Sequence, residues 1–346
     1  MTKPAALCLC VVFICALGGA CSAGVRLAPP PEGVYHSAHP DFGARDDEAS
    51  SEMIKAFEEM SGKKIVWAYV SWHWDKGIKF PVSACEAIRA AGAEPLVGVM
   101  PWSSLNQGYP EPEYTLERIA RGAFDDELYH AADIVRSLGY PIMMEFGPEV
   151  NGSWFPWNGA WNGRDADEYG EPGEPDGPER FRDAYRHIAD IFRMGGGDVT
   201  WVFHVSSAGS PSDEWNAVSR YYPGDGWVDW IGVSVYGRLK GGGLRSFGDI
   251  MEGAYPGLCA LSPSKPIAVL EMGVSEGPGK AEWIKDAFAG VNSGRYPRVR
   301  AVSWWNKASR PDGSRSGLEI DSSPESLAAY REGVGNLIDE AVWIDD

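Results

Sequence analysis

The run PIMMEFGPEV, residues 141–150, decides how this chain folds. Its apolar residues follow one another without alternation, as a strand buried on both faces requires, and such strands belong to parallel sheets covered by helices. Seven more short apolar runs have the same character: residues 33–36, 65–72, 94–102, 199–205, 228–237, 266–273 and 299–306. Helical patterns fill the intervals. Met53, Ile54, Phe57 and Met60 follow helical spacing, with Gly62 as the stop. Leu128, Ala131, Ala132, Val135 and Leu138 share a stripe with Asp125 as its cap, and Leu327, Val334, Leu337 and Ile338 repeat the pattern. Eight strand–helix units in a chain of 346 residues predict an α/β fold, a single (β/α)8 TIM barrel. That domain is expected over residues 33–346, without a second one.

The start of the chain reads differently. Lys3 precedes an apolar stretch over residues 5–17, and GGACSAG follows, so residues 1–23 read as a secretory signal peptide cut after Ala23. The alternative is a lipid anchor at Cys21, although Gly18 stands where a lipoprotein signal usually has Leu. The stretch is shorter than the roughly 20 residues that span a bilayer, so no membrane span is expected. Residues 24–32 are Pro-rich and read as a linker. Four of the six cysteines lie in the signal, which leaves Cys85 and Cys259, read as separate buried thiols with pairing as the alternative. The expected location is secreted, periplasmic or cell-surface.

A net charge of −18 without a basic block argues against nucleic acid, because phosphate binding needs clustered Lys and Arg. The six His lack metal-ligand spacing, the glycines at Gly241 are followed by no Gly-Lys-Ser/Thr, and no Gly-x-Ser-x-Gly elbow occurs. No cofactor and no metal are expected.

In a barrel of this kind, chemistry sits at the C-terminal ends of the strands. Here those ends read YVSWHWD, VMPWSS, EFGPEVNGSW, FHVSS, SVYGR, VLEMG and SWWNK, a ring of aromatic and carboxylate side chains. Glu149 ends the fourth run and Glu271 the seventh, so a closed barrel sets them across its mouth from each other. Two carboxyl groups flanking a bond are what glycoside hydrolysis needs: one gives a proton to the leaving oxygen, and in a retaining enzyme the other attacks the anomeric carbon. A salt bridge or loop cap is the alternative for either Glu. Fifteen Trp is heavy use, and an indole offers a flat partner to the C–H face of a sugar. Trp102, Trp154, Trp157, Trp161 and Trp304 are the candidates, with core packing as the alternative for each. Asn151, Asn158 and Asn162 supply groups that match sugar hydroxyls.

Several stretches together resemble glycoside hydrolase family 26, whose members are mostly β-mannanases. PEVNGSWFPW (residues 148–157) resembles the family's acid/base segment, YYPGDGWVDWIGVSVYG (221–237) a family hallmark, and KPIAVLEMG (265–273) its nucleophile strand. AVSWWNK (301–307) and LEIDSSPESLAAYRE (318–332) resemble the closing segments. The resemblance implies Glu149 as acid/base, Glu271 as nucleophile, Tyr236 as the residue that orients Glu271, Trp154 as a sugar platform and Trp304 as the floor of the central subsite. Two positions depart from the pattern: Pro148 stands where the family usually has His, and Glu145 where it tends to have Arg. Ionised and close, Glu145 would raise the pKa of Glu149; the alternative is an ion pair with an Arg or Lys inside the barrel. The expected activity is retaining endo-hydrolysis of a β-1,4-mannan-type polysaccharide or oligosaccharide. The alternatives are mixed-linkage β-glucan or xylan as substrate, or a non-catalytic glycan-binding barrel.

Overall fold

The computed structural model describes residues 24–43, 45–239, 242–308 and 314–345. The expected signal peptide and Cys21 lie outside the described residues. Eight parallel strands close a barrel in chain order: β2 (Tyr35–His39), β3 (Trp67–His73), β4 (Glu94–Met100), β5 (Ile142–Phe146), β6 (Val199–Ser206), β7 (Trp230–Tyr236), β8 (Ile267–Gly273) and β9 (Val299–Trp305). Seven of them lie in the apolar runs of the sequence to within a residue, whereas β2 starts two residues into the run expected at 33–36 and goes on to His39. The helices that cover them include α1 (Ser51–Ser61), α2 (Val82–Ala91), α3 (Leu116–Ala120), α4 (Asp125–Leu138) and α5 (Asp176–Met194). They continue with α6 (Val218–Tyr221), α7 (Phe247–Leu261), α8 (Lys280–Asn292) and α9 (Pro324–Val334). No helix among the described residues is long and apolar enough to cross a membrane.

Strand alternation divides the apolar residues into two layers. Tyr69, Leu96, Met143, Trp230, Ala268 and Ala301 meet inside the barrel, whereas Val97, Met144, Ile231, Val269 and Val302 face the helices. Runs apolar at every position therefore serve two cores at once.

Helix ends follow local chemistry. Ser50 accepts from the Met53 N–H at the start of α1, and Gly62 closes it at φ 73°. Asp125 is not a cap, contrary to expectation: Phe124 holds that position, and Asp125 is the first residue of α4, beside the positive end of the helix. Its carboxylate accepts from His187 Nε2 at 2.7 Å. The final helix stops at Val334, so Leu337 and Ile338 lie beyond it. Ile338 instead bonds by its backbone to Val34 and His36, at 2.8 and 2.7 Å.

The segment expected as a linker contains a strand. β1 (Val25–Ala28) pairs antiparallel with β10 (Val342–Asp345). Leu27 packs into the inner layer, and its carbonyl accepts from Trp230 Nε1 at 2.8 Å. The pair thus covers the N-terminal end of the barrel, where Trp230 needs an acceptor and an apolar lid. Cys85 and Cys259 are both unpaired thiols, Cys85 buried and Cys259 partly so.

Candidate active site

The turn after β5 presents the first carboxyl. Gly147 has φ 58° and Glu149 φ 50°, so the chain turns through the left-handed region on both sides of Pro148. A Cβ at Gly147 would sit 2.9 Å from Phe181 and 3.0 Å from Trp157, which excludes any larger residue. For Glu149, a non-glycine residue at φ 50°, the left-handed backbone is costly, the kind of strain retained where a side chain must be aimed. Pro148 keeps its neighbour rigid, and its carbonyl accepts from Trp157 Nε1 at 2.7 Å. Three residues after Glu149, a Cβ at Gly152 would lie 2.1 Å from the Trp154 ring. That bare backbone lets the indole fold back, and Trp154 Nε1 donates to Glu149 Oε2 at 2.9 Å.

The second carboxyl is aimed by an irregularity in β8. Val233 pairs with Val269 but Ser234 pairs with Glu271, so Leu270 is an extra residue. Ala268 and Leu270 point inward while Val269 and Met272 point outward, and the bulge brings Glu271 to the inner side. Tyr236, at the end of neighbouring β7, donates its hydroxyl to Glu271 Oε2 at 2.7 Å.

The two carboxyls feel each other. Burial and the facing Glu149 push Glu271 up to about 8, while His204 and the Tyr236 hydroxyl oppose the rise. Glu149 is also raised, by burial first, against His204, Ser234 and Trp154, with Glu145 adding a little. Each buried carboxyl makes the other harder to ionise, so the two titrate as a pair. Glu145 adds to the rise in Glu149, as its charge would require, but its main partner is an ion. Its Oε2 lies 2.8 Å from His204 Nδ1, so the pair inside the barrel is made by His rather than Arg or Lys. Burial would lower the pKa of His204; Glu145 overrides this and carries it up to about 9.

The aromatic candidates divide. Trp154 is partly exposed beside Glu149. Trp102 is buried, with Nε1 on His73 Nδ1 at 2.9 Å, and packs on Phe155 and Trp157. Trp157 is 1% exposed and belongs to the same cluster, so it braces the turn and presents no face to a sugar. Trp304 is corrected as well. It lies on the outer side of β9, also 1% exposed, against Trp283 and Tyr330, with Nε1 on the Leu318 carbonyl at 2.9 Å. The next residue, Trp305, points inward: it stacks on His39 at 4.0 Å and leans on Tyr69 at 5.3 Å, with part of its ring open. Alternation from Ala301 through Ser303 was the available signal. Trp304→Ala is expected to cost about 3–5 kcal/mol of stability, as for a buried indole. Trp305→Ala should leave stability nearly unchanged and raise KM about tenfold. Thermal melts and initial rates on both variants check this.

The asparagines are staples, not sugar ligands. Asn151, 1% exposed, grips Ser206 at both ends, donating to its carbonyl at 2.9 Å and accepting from its N–H at 2.7 Å. Asn158 donates to the Val150 carbonyl and Asn162 to that of Pro156, at 2.7 and 2.9 Å. Trp161 Nε1 donates to the Ser153 carbonyl at 2.9 Å. The Trp- and Asn-rich loop is therefore largely a packed corner that holds Glu149. Among the described residues, no group of three or more His, Cys, Asp or Glu could hold a metal ion.

Comparison with known proteins places these features in context. Residues 115–274 match the model of Glycosyl hydrolase family 26. Endoglucanase H of Acetivibrio thermocellus is 30% identical over 296 residues, 83% of this chain and 29% of that protein. The chain thus spans under a third of the length of that relative. Among solved structures, the Bacillus subtilis mannanase BCman superposes with a TM-score of 0.57 at 17% identity, over 83% of this chain and 84% of its own. The catalytic domain of an endo-beta-1,4-mannanase from Bacillus sp. JAMB-750 gives 0.61 at 14%, over 88% and 86%. At these identities the likeness is one of fold.

Proposed function

We propose that this chain, which belongs to glycosyl hydrolase family 26, is a secreted retaining endo-β-glycanase. The observation that carries the reading is the pair of interacting carboxyls, Glu149 and Glu271, aimed from β5 and β8 at one end of the barrel. Glu271 is the carboxyl pushed up to about 8 in the free site, so the shared proton passes to Glu149 when a glycan binds, and the Tyr236 hydroxyl is then left to hold the Glu271 anion. Glu149 then protonates the leaving oxygen while a Glu271 oxygen bonds to the anomeric carbon. In the second half, Glu149 takes a proton from water, and the oxygen of that water displaces Glu271 from the opposite face, the one the leaving group left. Secretion rests on the character of residues 1–23.

The substrate is a β-linked glycan. Mannan has the support of the family resemblance. A β-glucan has that of the 30%-identical relative, which is called an endoglucanase, and we place it first. A panel of β-glucan, mannan and xylan, assayed by release of reducing ends, decides between them. Cleavage of mannan without glucan would reverse the order, and cleavage of none would remove the activity.

A further inference from the structure

Beneath the partly open indole of Trp305 lies a buried charged cluster. His39 ends β2 and pairs directly with Trp305 at the end of β9, so the two side chains stand next to each other. The Asn306 N–H donates to the His39 carbonyl at 2.9 Å and ties the two strand ends together. The imidazole, 0% exposed, stacks on the indole with ring centroids 4.0 Å apart and planes 26° from parallel. The Phe42 and Tyr69 rings meet it edge-on, each at 5.6 Å. Three rings thus enclose the imidazole.

Both nitrogens of His39 are engaged. Nδ1 lies 3.1 Å from the Tyr69 carbonyl, which only accepts, so this nitrogen carries a proton. Nε2 lies 3.0 Å from Asp46 Oδ1. The other oxygen of Asp46 accepts from Nζ of Lys307, itself a buried residue. Against burial, which would raise it, His39 and Lys307 hold the Asp46 carboxyl below its ordinary range, so Asp46 is an anion and only accepts. Nε2 therefore carries the second proton. His39 is an imidazolium laid against the indole face, an arrangement that attracts a cation to the ring. Asp46 itself has φ 57°, a left-handed backbone that a non-glycine residue adopts at a cost, and its carbonyl accepts from the Ser71 N–H of β3 at 2.7 Å. Such strain is kept where a side chain must be aimed, and the target here is His39.

We propose that His39 and Asp46 are positioning residues for a sugar platform: Asp46, tied to Lys307, locks the His39 ring, and that ring holds the Trp305 indole with its open part toward the glycan. The inference rests on the reading of this site as a glycan cleft and on Trp305 as a surface open to it.

A double-mutant cycle tests it. The readout is affinity by isothermal titration, with cellotetraose and mannotetraose as probes, on protein carrying Glu271→Ala so that nothing is cleaved. His39→Ala should weaken binding about fivefold, and Asp46→Asn, which keeps the shape and removes the charge, about threefold. Trp305→Ala alone should weaken it about tenfold. Added to Trp305→Ala, neither of the other two should cost anything more, because both act through the indole. Losses of undiminished size in the Trp305→Ala background would show contacts that bypass the indole and would overturn the proposal. So would full affinity in Asp46→Asn with only its melting temperature lowered, the result for an ion cluster that serves stability alone. Asp46→Asn carries the cycle if His39→Ala does not fold. A parent that binds neither probe contradicts the platform itself. Binding is read without turnover, so a wild type that cleaves no glycan while the coupling holds would sink the glycosidase reading and leave the platform standing.

Discussion

Glu271→Ala lowers kcat by about 10⁴-fold or more while glycan binding survives. In the proposed mechanism this carboxylate bonds to the anomeric carbon, and water in its place is a poor nucleophile held by nothing. The fold should not suffer. Glu271 is only 9% exposed, and its raised pKa shows that its charge is uncomfortable there, so removing it leaves the melting temperature unchanged or higher. Added azide enters the vacated space, attacks from the face that Glu271 used and gives a glycosyl azide of inverted configuration. Steady-state rates, isothermal titration with an oligosaccharide and product NMR read the three effects. Near-normal turnover in this variant would remove Glu271 from the mechanism, and a wild type that binds but never turns over would favour a glycan-binding barrel.

Glu149→Ala is the second large effect, and its signature differs. Loss of a general acid/base costs about 10²–10⁴-fold on an unactivated glycan. On an aryl glycoside with an acidic phenol as leaving group, the first step needs no proton and keeps most of its rate, so the glycosyl-enzyme accumulates. Azide then releases it with retained configuration, the opposite of the Glu271 variant. A burst followed by a slow steady state on the aryl substrate is the expected trace. Equal losses on activated and unactivated substrates would contradict an acid role for Glu149.

Seven barrel strands were legible along their length, because burial on both faces leaves uninterrupted apolar runs, while β2, with His36, Ser37 and His39 in its five residues, was legible only at its start. The two catalytic carboxyl candidates were also visible, as polar residues at the ends of such runs. Trp304 was expected to face a sugar from its strand-end position and the family resemblance, but along a strand one residue reverses the face, and the inward indole is Trp305. Asn151 and Trp157 were mistaken for sugar contacts because sequence does not say whether a polar group meets a ligand or its own backbone. Here a tight turn through Gly147 and Glu149 leaves carbonyls to be satisfied, and the loop satisfies them itself. His204 carries no local signal, because its partner Glu145 lies on the neighbouring strand, far away in sequence. The β1–β10 pair was missed because four-residue strands at opposite ends of a chain have no local signature.

The central claim is that Glu271 becomes covalently bonded to the sugar while Glu149 handles the proton. Its most direct test is trapping with a fluorosugar inactivator, followed by proteolysis and mass spectrometry of the labelled peptide. The account predicts a single sugar attached at Glu271, with turnover that retains the anomeric configuration. A label on another residue, or no label from an enzyme whose products are inverted, would contradict it.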